Sequence, residues 1–266
     1  MKHLKEENKI QRTSIEWVFN PDGSRPGWAC NPIKGYCSIA CPYCYARRIY
    51  DHFKWDKTIR FDVDELLSIE HHRKPAGIFL GSTFELFWDG LERFWQDSIF
   101  ATIKACPQHR FYLLTKCPQN LIKFSPFPDN VYLGVTVTNQ EMLDMAIYYL
   151  KMVKTKVKFI SFEPLLESVA GPRLNLSGIN WVIIGAMTGN LEDIKKMLMI
   201  YPQLTPMPWG KKWTLQPRIE WVKEIVESAD REGIAVFLKN NLLPLFEGIT
   251  KGEDWTGIRQ EMPDAK

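Results

Sequence analysis

Cys37-Ser-Ile-Ala-Cys41-Pro-Tyr-Cys44-Tyr-Ala46 sets three thiols at C-x3-C-x2-C, with Tyr43 directly before the third. A cubic iron–sulfur cluster is held by cysteine thiolates and ordinarily takes four of them. Three from one tight loop leave one iron without a protein ligand, and an open position separates a reactive metal centre from a closed structural one. Cys30 lies seven residues before Cys37, so a closed four-cysteine zinc knuckle is a competing arrangement, and a chance group of buried thiols is a third.

Outward from this loop the chain alternates between two patterns. Residues 28–31 read as a short first strand opening into the cysteine loop, and 46–53 as the helix that leaves it, carrying Arg47 and Arg48. Short apolar runs follow at 77–81, 110–115, 131–136, 157–161, 181–185 and 234–239. They are apolar on both faces, as parallel strands buried between helices are. Helical spacing covers 91–106, 140–153 and 217–231, the last with Pro217 in its first turn and Gly233 just past its end. Strand–helix alternation of this kind predicts an α/β protein whose parallel sheet is closed or partly closed into a barrel.

The 266 residues suit one such domain, since α/β barrels take about 250. We expect a flexible segment over 1–12, a single barrel domain over 13–250 and a tail over 251–266. The apolar share of 45% is enough for a full core, and a formal charge of +3 permits an anionic partner without requiring one. Residues 1–11 contain no apolar signal-peptide core, and no apolar run approaches the ~20 residues of a spanning helix. The expectation is therefore a cytoplasmic protein with reduced thiols, where clustered cysteines point to metal rather than to disulfides. Residues 201–213, rich in Pro, Trp and Lys, read as one long irregular connection. It is either a lid or substrate loop, or a surface excursion packed by Trp209 and Trp213.

Chemistry in such barrels gathers at the C-terminal ends of strands. Those ends read Ser82-Thr83-Phe84-Glu85, Lys116-Cys117, Val137-Thr138-Asn139, Ser161-Phe-Glu163-Pro164, Ala186-Met-Thr188-Gly189 and Lys239-Asn240-Asn241. Hydroxyls, amides and charges are what a polar cofactor with an adenine, a ribose and an amino-acid tail requires. Strand ends also turn polar simply on reaching water. That does not account for Glu163 ahead of Pro164, or for Lys116 inside Leu-Thr-Lys-Cys-Pro.

The cysteine spacing is that of the radical SAM superfamily, which the chain resembles here. Over residues 13–245 it resembles an uncharacterised radical-SAM-like family of phage and prokaryotic genomes. The words that carry this are Ile15-Glu-Trp17, Asn31-Pro32 with Gly35, Cys44-Tyr-Ala46, Leu114-Thr-Lys116, Glu163-Pro-Leu-Leu166, Trp181-Val-Ile-Ile-Gly185 and Phe237-Leu-Lys239. More distantly it resembles spore photoproduct lyase, a DNA-repair member. There are three departures. The family has a longer gap between its first two cysteines. It carries a glutamate where this chain reads Gly185-Ala-Met-Thr-Gly189. It commonly has arginine where this chain has Cys117.

The resemblance implies a partial parallel (β/α)6-type barrel, here with an added late strand and the cluster loop after strand 1. It implies that Cys37, Cys41 and Cys44 bind a [4Fe–4S] cluster, with S-adenosyl-L-methionine on the fourth iron. One-electron reduction then yields methionine and a 5′-deoxyadenosyl radical that abstracts hydrogen from a substrate. The substrate is unidentified, with nucleic acid among the candidates, and a flavodoxin or ferredoxin would supply the electron. By the same resemblance Tyr43 lies near the adenine, and Gly81, Ser82 and Thr83 receive the methionine amino group. Thr136, Thr138 and Asn139 are candidates for ribose or carboxylate contacts, and Gly185 for a close backbone approach to adenine. Lys116, Glu163 and Lys239 are the remaining candidate site charges, for a cofactor carboxylate, a substrate phosphate or the ribose hydroxyls; a buried ion-pair network would read identically.

Cys117, beside Lys116 at a strand mouth, is expected on the cofactor side. Its pKa should be lowered by the ammonium, and it should be able to donate hydrogen to a substrate radical as a cysteine does in spore photoproduct lyase; a small apolar filler is the alternative. Lys211 and Lys212 with Trp209 and Trp213 are expected to form a stacking and phosphate-binding edge. A function of another class, a non-catalytic iron–sulfur or zinc scaffold recognising a partner, has no need of the polar strand ends.

Overall fold

The structure, a computed structural model, describes residues 10–169, 174–246 and 258–263. The remaining parts of the expected terminal segments lie outside the described residues. The described chain falls into two compact units. The first runs up to Gly134 and includes Met152–Lys156; the second holds Val135–Lys151 and the chain from Val157 onward.

In the first unit β1 (Gln11–Arg12) pairs antiparallel with β2 (Trp28–Cys30). A two-strand ribbon of β3 (Ile33–Lys34) and β4 (Arg60–Phe61) brackets the cysteine loop and α1 (Tyr45–Phe53). Next come α2 (Val63–His71), β5 (Gly77–Leu80), α3 (Arg93–Ala105), β6 (Arg110–Thr115) and β7 (Val131–Thr136), the last two residues of β7 belonging to the second unit. Strand β5 pairs parallel with β2 on one side and β6 on the other. Asp62 caps α2, its carboxylate accepting the Glu65 N–H. Trp17 packs on Phe79 and Tyr112, at ring separations of 4.9 and 5.8 Å. The Ile-Glu-Trp word therefore plugs one side of these strands.

The second unit contains α4 (Gln140–Met152), β8 (Val157–Phe162), β9 (Trp181–Ile184), β10 (Met187–Gly189), α5 (Leu191–Ile200), β11 (Thr205–Trp209), β12 (Lys212–Gln216), α6 (Ile219–Arg231), β13 (Ala235–Leu238) and α7 (Leu243–Phe246). Strand β9 pairs parallel with β8 and with β13, and Trp181 is buried between Phe159 and Phe237. The main sheet has the order β1-β2-β5-β6-β7-β8-β9-β13 and is mostly parallel with flanking helices; it begins at β1 and ends at β13, so it is not closed. This is the expected α/β architecture, with β13 as the added late strand.

Two local expectations are corrected. Helix α6 begins at Ile219 with Arg218 as its N-cap, so Pro217 precedes the helix instead of occupying its first turn. Residues 201–213 are not an irregular loop. Strands β11 and β12 form an antiparallel hairpin turning at Gly210, whose φ of 59° suits a two-residue hairpin turn, and β12 pairs onward with β10. In its register Trp209 faces Lys212 and Pro208 faces Trp213. Side chains alternate along a strand, so Trp209 and Trp213 stand on opposite faces and cannot share one stacking edge.

Candidate functional site

The cysteine loop leaves the C-terminal end of β2 and re-enters regular structure at α1, whose N-cap is Cys44. Ala40 adopts a left-handed φ of 54°, and the Cys44 N–H donates to the Cys41 carbonyl at 3.1 Å, closing a tight turn between the two thiols. All three cysteines are half-buried. Burial raises the Cys37 thiol, opposed by the backbone N–H groups of Ile39 and Glu85, which point at its sulfur. Burial likewise raises Cys41, opposed chiefly by the Lys116 ammonium and also by the Tyr43 hydroxyl. These donors and the Lys116 ammonium, which follows β6, offset part of the effect of burial, and donors near the sulfurs suit thiolates on a cluster whose sulfurs accept hydrogen bonds.

Cys30 takes no part. It is fully buried, its thiol donates to the Glu65 carbonyl at 3.7 Å, and the charges acting on it are Glu65, Lys34 and Asp62. That removes the fourth ligand of a zinc knuckle. Among the described residues no group of three His, Cys, Asp or Glu side chains is arranged around one metal ion. In a cubic cluster each thiolate takes a separate iron, so the three sulfurs need not converge on a single point.

Beside the loop, Gly81 has a φ of 76°, and a Cβ there would meet the Leu86 side chain at 2.5 Å, so only glycine fits this turn. The Gly81 N–H donates to the Cys30 carbonyl at 2.9 Å. Asn31 Oδ1 accepts from the Ser82 hydroxyl at 3.0 Å and the Thr83 N–H at 3.1 Å, while the Tyr45 hydroxyl donates to the Ser82 carbonyl at 2.8 Å. The Ser82 hydroxyl and the Thr83 N–H thus already bond Asn31.

Sequence reasoning missed the residue that organises this corner. Glu85 is buried at 6% exposure. Its Oε1 accepts from Thr115 Oγ1 at 2.6 Å and from the Phe87 N–H at 3.1 Å; its Oε2 accepts from the Lys116 N–H at 2.8 Å. Thr115 Oγ1 in turn accepts the Cys117 N–H at 2.8 Å. One carboxylate therefore fixes the turn that carries Lys116 and Cys117. The available signal was its place in a polar strand-end word, Ser-Thr-Phe-Glu.

Cys117 is 7% exposed and acted on by Glu85 and Cys37. The expected lowering of its thiol does not occur. Burial, followed by the Glu85 carboxylate, pushes it up to about 12, and Lys116 acts against them too weakly.

In the second unit, the register that sets Phe162 beside Ile184 and Ile184 beside Leu238 brings Glu163, Gly185 and Lys239 into one row just past the strand ends. Lys239 forms an ion pair with Glu163 across the middle strand. A Cβ on Gly185 would lie 3.0 Å from Lys239 Cδ and 3.3 Å from Glu163 Cδ, so the missing side chain gives the pair its room. Ser161, on the same face two residues before Glu163, has a buried hydroxyl with no partner among the described residues. Asn241 clamps the turn after β9. Its Oδ1 accepts the Ala186 N–H at 3.1 Å, and its Nδ2 donates to the Ala186 carbonyl at 2.7 Å. Thr136 is buried, Thr138 Oγ1 donates to the Met142 sulfur at 3.2 Å, and Asn139 Oδ1 accepts the Met142 N–H at 2.9 Å at the start of α4.

The described chain thus has an open, mostly parallel α/β sheet with a three-cysteine loop after its first parallel strand. The chain is similar in structure to spore photoproduct lyase complexed with dinucleoside spore photoproduct, at 12% identity, over 88% of this chain and 81% of that one, with a TM-score of 0.54. It is also similar to a double mutant of that lyase with bound AdoMet and dinucleoside spore photoproduct, at 12% identity, over 86% and 80% of the two chains, with a TM-score of 0.52. Residues 12–197 match the family described as Protein of unknown function (DUF5131), and the chain belongs to that family. No curated protein matches it.

Proposed function

We propose that the protein is a radical S-adenosylmethionine enzyme, a member of a phage and prokaryotic radical-SAM-like group, working in the cytoplasm. The observation that carries this reading is the loop geometry: Cys37, Cys41 and Cys44 are half-buried in one tight turn, closed by the Cys44 N–H on the Cys41 carbonyl at 3.1 Å, between the end of β2 and the start of α1, with Cys30 left out of it. Those three cysteines would hold a [4Fe–4S] cluster with one iron left for S-adenosylmethionine. When bound, the cluster supplies the single electron for reductive cleavage of the sulfonium. Tyr43 and the turn Gly81, Ser82, Thr83 are our assignments for cofactor contacts on this side. For Thr136, Thr138, Asn139 and Gly185 the assignment rests on the resemblance alone. Lys116 orients the sulfur side of the site, Cys117 is assigned as hydrogen donor, and the Glu163–Lys239 pair is assigned to polar substrate or ribose groups.

The test is spectroscopic. With dithionite, the anaerobic protein should show a reduced-cluster EPR signal that changes on adding S-adenosylmethionine, and should release 5′-deoxyadenosine slowly without substrate. A fully loaded cluster whose spectrum ignores the cofactor would return the protein to the scaffold reading.

For the substrate we propose nucleic acid. The similar lyase structures contain a dinucleoside photoproduct, and Lys211 and Lys212 are exposed at the tip of the β11–β12 hairpin. Replacing both lysines with Ala should weaken oligonucleotide binding and flatten its salt dependence, each lost phosphate contact lowering the log–log slope by about one unit. Oligonucleotide binding without any salt dependence in the wild type would turn the search to small molecules or peptides.

A further inference from the structure

We propose that the face formed by the C-terminal end of α1 and the turn after it is a docking surface for an acidic, low-potential electron-transfer protein. This rests on the proposed function. Three observations lead to it, all in the segment that leaves the cysteine loop.

The first is charge. Residues 47–60 contain Arg47, Arg48, Lys54, Lys57 and Arg60 against Asp51 and Asp56. Five cations against two acids give this segment a surplus of three, equal to the formal net charge of the whole chain. A charged patch of this kind steers encounter with an oppositely charged partner.

The second is an exposed apolar centre. Phe53 and Trp55 are 60% and 52% exposed and stack on each other at 5.6 Å and 23°. Residues 51–58 form one continuous exposed run. Aromatic residues ringed by charged ones are the composition of a protein–protein contact. A nucleic-acid platform needs open ring faces. Here the Tyr36 ring carries the Arg47 guanidinium and the Lys57 ammonium, each 4.6 Å from its centroid, and Phe53 and Trp55 each spend one face on the other. Two of the cations are moreover paired, Lys57 with Asp51 at 2.7 Å and Arg60 with Asp56 at 3.2 Å. That mixture of signs suits a protein rim better than a uniform phosphate track.

The third is rigid connection to the cysteine loop. Tyr36, which directly precedes Cys37, packs edge-on against Tyr50 at 5.9 Å, and Tyr50 against Trp55 at 5.3 Å. Arg47 donates to the Cys37 carbonyl at 2.6 Å. Helix α1 itself runs from the residue after Cys44 to Phe53, about 14 Å at 1.5 Å per residue. A donor seated on this face lies within one short helix of the third cysteine. In the transfer, a flavodoxin hydroquinone would lose one electron to become the semiquinone, and the oxidised cluster would gain it.

The experiment measures the binding of a reduced, acidic flavodoxin to the cluster-loaded protein by anaerobic calorimetry, at low and high salt. The double charge reversal Lys54→Glu with Lys57→Glu should raise the Kd about tenfold or more at low salt, the difference collapsing above ~0.5 M as the charges are screened. Phe53→Ser should weaken binding at both salt concentrations. Dithionite should reduce the cluster equally in all three proteins, which also shows that the variants are folded. Unchanged flavodoxin affinity in both variants overturns the docking surface. So does loss of oligonucleotide binding alone, which would assign the face to nucleic acid. A wild type with no dithionite-reducible cluster overturns the proposed function itself, a separate outcome from a loaded cluster with indifferent flavodoxin binding.

Discussion

Single replacement of Cys37, Cys41 or Cys44 with Ala should leave the anaerobically reconstituted protein colourless, where the wild type should carry about four irons and four sulfides per chain. In the proposed cluster each thiolate would hold a different iron, so no remaining ligand would take over the vacated corner. Release of 5′-deoxyadenosine should fall to background in all three variants. Cys30→Ala and Cys106→Ala should keep full iron content. Both are buried away from the loop, Cys30 beneath Glu65 and Cys106 at the end of α3. Cys117→Ala should divide the readouts. Because Cys117 lies outside the C-x3-C-x2-C loop, iron and cofactor cleavage should persist while product is lost or diverted. Iron loss in Cys30→Ala, or zinc in place of iron, would sink the cluster assignment. Unchanged product in Cys117→Ala would reduce that residue to packing.

Glu85→Ala is expected to be the most destabilising single change near the site. It leaves three donors without their acceptor: the buried Thr115 hydroxyl and Phe87 N–H, and the half-buried Lys116 N–H. An unsatisfied buried polar group costs on the order of 1–3 kcal/mol, and a hydroxyl can turn to another acceptor, so a total of about 3 kcal/mol is expected. The midpoint of urea unfolding should fall with little change in slope. Cluster retention in air should fall too, since the Glu85 N–H points at the Cys37 sulfur and the carboxylate fixes the turn bearing Lys116. Glu85→Gln should be intermediate, because one oxygen still accepts while the new amide N–H₂ opposes a backbone donor. Equal stability of wild type and Glu85→Ala would show that the carboxylate does not organise this corner.

The parallel strands were legible almost to the residue. Runs such as Arg110–Thr115 and Val131–Thr136 are apolar because both faces are covered, and this burial is written into consecutive side chains. The short antiparallel pieces were not legible. Gln11–Arg12 and Ile33–Lys34 pair over only two residues each, and what makes them strands is the partner rather than their own composition. In β11, Pro206 and Pro208 argued against a strand. The hairpin accommodates them because β11 is an edge strand, where prolines at alternate positions turn their missing N–H away from β12.

The candidate site divides in the same way. The cysteine spacing, the glycine at the turn after β5 and the polar strand ends are local, and local sequence alone specified them. The exclusion of Cys30, the elevated thiol of Cys117 and the central place of Glu85 were decided by the tertiary structure. So was the ion pair of Glu163 and Lys239 over Gly185. Each depends on groups far apart in sequence, Glu85 with Thr115 thirty residues on and Glu163 with Lys239 seventy-six on. A charge or a thiol is set by what surrounds it in space, and Lys116, next to Cys117 in the chain, is outweighed there by burial and by a carboxylate from another strand end.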